Sequence, residues 1–72
     1  MSAPTTITVR LDGRLERLPA GSTLAELVAR LHHAPEAVTT AVDGRFVPRA
    51  LREHETLQDG QTVLLFQAIV GG

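Results

Sequence analysis

Regular patterning begins at "ITVRL", where Ile7, Val9 and Leu11 alternate with polar neighbours, the two-residue period of a strand buried on one face. Asp12-Gly13 follows, a dipeptide suited to the positive φ of a two-residue hairpin turn. Residues 14 to 18, "RLERL", read as the returning strand; their imperfect alternation and high charge suit a sheet edge. The period then changes. Leu24, Leu27, Val28 and Leu31 fall at i, i+3, i+4 and i+7, a single apolar stripe along a helix. Thr23 and Glu26 stand at capping-box spacing at its start, and Pro35 stops any continuation.

Val38 to Val42 read as a further strand, Asp43-Gly44 as a second turn, and Phe46-Val47 as a short strand that Pro48 confines to an edge or to its own end. Residues 50 to 58 read as a loop with room for one helical turn. Asp59-Gly60 then leads into "QTVLLFQAIV", the longest apolar run and the candidate for the central strand. The order is strand, strand, helix, strand, strand, strand. One helical stripe must find a partner, and no second helix is available, so the helix covers one face of a small mixed sheet and leaves the other uncovered. If the first and last strands are parallel neighbours, the helix belongs to the crossover between them. The expected fold is therefore α+β, in a β-grasp layout. It forms one domain over residues 1–72, with a flexible tail over about 67–72.

Size sharpens the functional expectation. A core built from 72 residues supplies only about 3–5 kcal/mol, so a large internal cleft would consume most of it. Function is expected on the surface or at an end. The net charge is −1 with both signs mixed along the chain, which removes the footprint of a nucleic-acid binder, and Phe46 and Phe66 are too few for a base-stacking platform. Cysteine is absent, and with it any disulfide, thiolate nucleophile or thiol-ligated metal. The N-terminal residues carry no basic and apolar leader pattern, and no apolar run approaches the ~18 residues of a membrane span. The chain reads as cytoplasmic.

Few side chains suggest chemistry. His32 and His33 are adjacent and so do not share a helix face, and no spaced Asp, Glu or Cys completes a ligand set; they read as last-turn residues favoured by the helix dipole. His54, between Glu53 and Glu55, reads as a solvated loop residue, and Glu26 with Arg30 as a surface i, i+4 pair. No nucleophile elbow, phosphate loop or dinucleotide fingerprint is present. What remains is the end of the chain, Gly71-Gly72. Without side chains such an end is slim enough to thread a narrow channel and present the Gly72 carboxylate there. Adenylation by a partner would convert that carboxylate to a mixed anhydride, open to a sulfur nucleophile, and leave a thiocarboxylate as a tethered sulfur donor. On the bare glycines alone, a frayed and functionless end remains an equal alternative.

The segments "AGSTLAELVARL", "AVDGRFVPR" and "VPRALREHETLQDGQTVLLFQAIVGG" resemble the ThiS family of sulfur carrier proteins in thiamine biosynthesis, and the resemblance runs from Ile7 over nearly the whole chain. It implies a ubiquitin-like β-grasp fold, and a C-terminal glycine that a ThiF-type enzyme adenylates with ATP and that ends as a thiocarboxylate. The sulfur, supplied by a donor such as a cysteine desulfurase, would pass to a ThiG-type thiazole synthase. The protein would be a cosubstrate and not an enzyme, with no cofactor bound. On this resemblance Gly72 carries the sulfur, Gly71 gives it access to the partner, and Phe66, Ala68 and Val70 dock. Asp43 stands where the family commonly has Asn, and the N-terminus is a few residues longer than the family pattern. A carrier for molybdopterin or another sulfur-containing metabolite is the nearest alternative, although "FQAIVGG" lacks the proline-rich approach usual in molybdopterin carriers. A ubiquitin-like protein modifier and a plain interaction module with a never-activated tail are the others.

Overall fold

The structure, a computed structural model, describes residues 5–67. Its strands are β1 (Thr6–Leu11), β2 (Arg14–Pro19), β3 (Val38–Val42), β4 (Arg45–Val47) and β5 (Thr62–Gln67), and they form one open sheet in the order β2-β1-β5-β3-β4. β1 and β5 run parallel, with Arg10 opposite Thr62 and Leu11 opposite Val63; every other neighbouring pair is antiparallel. The helix α1 (Leu24–Arg30) packs through Leu24 and Leu27 onto the core formed by Val9, Leu11, Val42, Val47 and Val63. This is the β-grasp arrangement expected from the pattern, with the last strand at the centre.

Both hairpins close as their dipeptides require. Asp12 (φ 49°) with Gly13 (φ 86°), and Asp43 (φ 51°) with Gly44 (φ 81°), place two consecutive residues in the left-handed region. That turn matches the twist of the flanking strands. The aspartates have a second task that the sequence did not suggest. Leu65 N donates to Asp12 Oδ1 at 3.2 Å and Thr62 N to Asp43 Oδ1 at 2.9 Å, so both turns hold β5 from its two sides. Asp59 does the same for β1, accepting from Thr8 N at 2.8 Å.

The capping box of α1 is present: Glu26 N donates to Thr23 Oγ1 at 3.2 Å, and Thr23 N donates to Glu26 Oε1 at 2.8 Å. Glu26 is thus engaged by the cap, and no ion pair with Arg30 is found among the described residues. The helix also stops sooner than its histidines suggested. Arg30 is its last residue, and His32 lies at φ 64°. His32 N donates to Ala29 O at 3.0 Å and His33 N to Val28 O at 3.2 Å. This paired closure normally uses glycine at the left-handed position, which is why two histidines gave no sign of it. Pro35 does not end the helix; it starts a 3-10 segment, Pro35–Ala37.

The stretch read as a loop is a six-residue 3-10 helix, Arg49–His54, followed by the buried Leu57. Backbone bonds from Leu24 N to Glu55 O (2.8 Å) and from Leu57 N to Ser22 O (2.9 Å) tie the residues just after this 3-10 helix to the start of α1. Together they close the helix side of the sheet. The opposite face has no covering layer among the described residues.

Candidate functional site

The tail departs from β5, so the site is built outward from that strand. β5 lies between two neighbours, β1 along its first residues and β3 along its length to Gln67. Its far end, Gln67, lies opposite Val38 at the start of β3. The backbone there is pinned from the helix side by Arg52, which is 4% exposed. Arg52 Nε donates to Thr40 Oγ1 at 3.1 Å, Nη1 donates to Pro35 O at 2.8 Å, and Nη2 donates to Val38 O. Burial, and secondarily the positive charge of Arg49, hold the Arg52 guanidinium below its usual pKa. Its acceptors are neutral oxygens, so the cation is held by geometry rather than by an opposing charge.

The register fixes which side chains share the uncovered face, because residues directly opposite in neighbouring strands project to the same side. Arg10 is opposite both Leu15 and Thr62, Thr8 is opposite Arg17, Ala41 is opposite both Leu64 and Phe46, and Thr39 is opposite Phe66. The face therefore divides in two. Across β5, β3 and β4 it is apolar, with Phe66 52% and Phe46 61% exposed beside the half-buried Leu64 and Ala41. Across β1 and β2 it carries Arg10 and Arg17, with Leu15 69% exposed between them and the hairpin turn. Phenylalanines left this exposed gain little for the isolated fold, and apolar patches of this kind mark contact surfaces. At the β4 margin Arg45 Nη2 meets Glu55 Oε2 at 2.6 Å, a hydrogen bond that raises the Arg45 pKa.

A groove of about 260 Å³ lies between α1 and the 3-10 helix, lined by Val28, Ala29, His33, Pro35 and Arg49 among others. It opens on the helix side, away from Phe66, and is smaller than the ~300–1,000 Å³ usual for small-molecule sites. No group of three or more His, Cys, Asp or Glu among the described residues could hold a metal ion. No described helix is long and apolar enough to cross a membrane.

Of the residues singled out from the sequence, Phe66 stands on the uncovered face at the end of the central strand. Ala68, Val70, Gly71 and Gly72 lie outside the described residues. Sequence reasoning passed over Leu15, Leu64 and Phe46, although alternation counted outward from Val47 and Val63 carries the signal for the last two. It also passed over Arg52, which no periodicity marked.

A model of the ThiS family matches residues 5–72, and so includes the closing glycines. The chain belongs to the ThiS family. A curated member, the sulfur carrier protein ThiS of Escherichia coli (strain K12), is 38% identical over 53 residues, which cover 74% of this chain and 80% of that protein. Among solved structures, a thiamine biosynthesis protein ThiS from Geobacter metallireducens superposes with a TM-score of 0.73 at 24% identity, covering 92% of this chain and 100% of that one. An ubiquitin from Caldiarchaeum subterraneum superposes with a TM-score of 0.54 at 20% identity, covering 94% and 98% respectively. These two likenesses are of fold. The fold they share with this chain is the ubiquitin-like β-grasp.

Proposed function

We propose that this protein is a sulfur carrier for thiazole formation in thiamine biosynthesis, with Gly72 as the sulfur-bearing end. It is not an enzyme but a cosubstrate, consumed and regenerated. The observation that carries the reading is the family match running through Gly71-Gly72, behind a central strand that leads toward that tail. A carboxylate oxygen of Gly72 attacks the α-phosphorus of ATP on a ThiF-type partner and pyrophosphate leaves. A sulfur nucleophile equivalent to hydrosulfide then adds at the acyl carbon, AMP leaves, and the terminus is a thiocarboxylate. Because the chain has no cysteine, the sulfur comes from elsewhere; a cysteine desulfurase is the donor class that fits, with a thiol reductant either releasing its persulfide sulfur as hydrosulfide or cleaving the acyl disulfide that the persulfide forms with Gly72. A ThiG-type thiazole synthase is the acceptor. Gly71 offers no side chain to obstruct a channel, and Phe66, with Ala68 and Val70 next along the sequence, belongs to the docking surface.

Intact mass tests the reading. After incubation with a ThiF-type enzyme, ATP and a sulfur source, the protein gains the mass of one sulfur for one oxygen, mapped to Gly72. Deleting Gly72, or adding one residue after it, abolishes the gain and leaves the fold unchanged. An unaltered mass beside an enzyme that is active on a known carrier removes the thiazole assignment.

A further inference from the structure

The hydrogen-bond phase of β5 gives each of its backbone groups a side. Arg10 N donates to Gln61 O at 2.8 Å and Asp12 N donates to Val63 O at 3.1 Å, so odd-numbered residues turn their backbone groups toward β1. Asp43 N donates to Thr62 O at 2.8 Å, so even-numbered residues serve β3. The two neighbours are not equally long. β3 accompanies β5 as far as Gln67, whereas β1 stops pairing at Val63. Asp12 Oδ1 takes Leu65 N, and there the contact ends. The Leu65 carbonyl and the Gln67 amide face a side on which no described strand lies and no described residue bonds to them.

The sheet's outer edges are blunted against pairing, and this inner one is not. β2 carries Arg14, Glu16, Arg17 and Pro19, and β4 begins with Arg45 and is followed by Pro48. Charges and prolines of this kind keep an edge from accepting a foreign strand. Residues 64–67, "LLFQ", have neither. A carbonyl and an amide two residues apart on one side form the pairing unit for a strand added beside Phe66.

We propose that this half-open edge of β5 receives an extended backbone segment of the activating partner, which adds a strand alongside Leu65 to Gln67. The identity of that partner rests on the sulfur-carrier reading. The added strand donates an amide to Leu65 O and accepts from Gln67 N, and its side chains meet the apolar half of the uncovered face at Phe66. The consequence for the carrier is orientation: β5 acquires a second neighbour up to its last described residue, and the tail beyond it leaves in a fixed direction.

Gln67→Pro tests this, because it removes an amide that the β3 ladder does not use. With a ThiF-type enzyme as the probe, Gln67→Pro binds about tenfold more weakly than wild type, the scale of one lost interfacial hydrogen bond. Gln67→Ala binds within about twofold, since only the side chain changes. Equal binding by the two variants overturns the proposal. Should Gln67→Pro disturb the fold, amide exchange in the wild-type protein decides: Gln67 N–H exchange slows on addition of the enzyme, and unchanged exchange refutes the added strand. Slowing that depends only on the protein's own concentration assigns the edge to a second copy and overturns the stated occupant. A wild type that neither binds the enzyme nor forms thiocarboxylate fails the carrier reading itself, a result distinct from thiocarboxylate formation with Gln67 unprotected.

Discussion

Arg52 places a positive charge where only neutral oxygens receive it. Removing it leaves Thr40 Oγ1 and the Pro35 and Val38 carbonyls to find donors that the surrounding backbone cannot supply. Arg52→Met should therefore lower stability by about 2–4 kcal/mol, read from urea denaturation followed by circular dichroism. Arg52→Lys should recover only part of that, because an ammonium cannot reproduce the planar spread of donors. A loss below about 1 kcal/mol for the methionine variant would show that the network is dispensable. Nothing in "RALREHETLQ" announces this residue, since its acceptors lie at positions 35, 38 and 40 and exist only once those segments have met. The turn aspartates were half legible. Their φ preference is a local property and can be read directly. The acceptance of Leu65 N by Asp12 spans 53 positions and depends on sheet order.

At the level of elements, α1 shows the same division. Its start is written in adjacent residues, Thr23 and Glu26, and the structure contains both halves of the expected cap. Thr23→Ala should cost about 1 kcal/mol in denaturant unfolding, with the sheet unaltered, and an unchanged midpoint would mean that the 3-10 helix and its backbone ties alone secure the helix start. Its end was not legible, because His32 takes a conformation for which histidine is an uncommon choice. The six-residue 3-10 helix reads as a loop for a related reason. Three residues per turn superimposes side chains at i and i+3, and "RALREH" offers no apolar stripe at that period. β5, by contrast, declares itself through the one long apolar run, and its central place follows from the need to cover both sides of its backbone.

For the molecule as a whole, the one α-helix and five strands among the described residues yield a sheet with two unlike faces. That asymmetry was legible from the count of elements. Which residues occupy the uncovered face needed the register. Phe46→Glu and Phe66→Glu should each weaken binding to a ThiF-type enzyme by about tenfold or more, since exposed aromatic residues at a contact dominate its energy. The same changes should move stability by only about 0.5 kcal/mol, because neither ring is part of the core. Calorimetric titration paired with thermal unfolding separates the two effects, and undiminished binding by folded variants would place the contact elsewhere.

The position of β5 also has a mechanical meaning. Among the described residues the strand is held by five register pairs on the β3 side and two on the β1 side. A pull applied along the strand axis acts at right angles to these hydrogen bonds, so they bear the load together in shear instead of opening one after another. Under such a load the domain acts as an anchor that does not unravel.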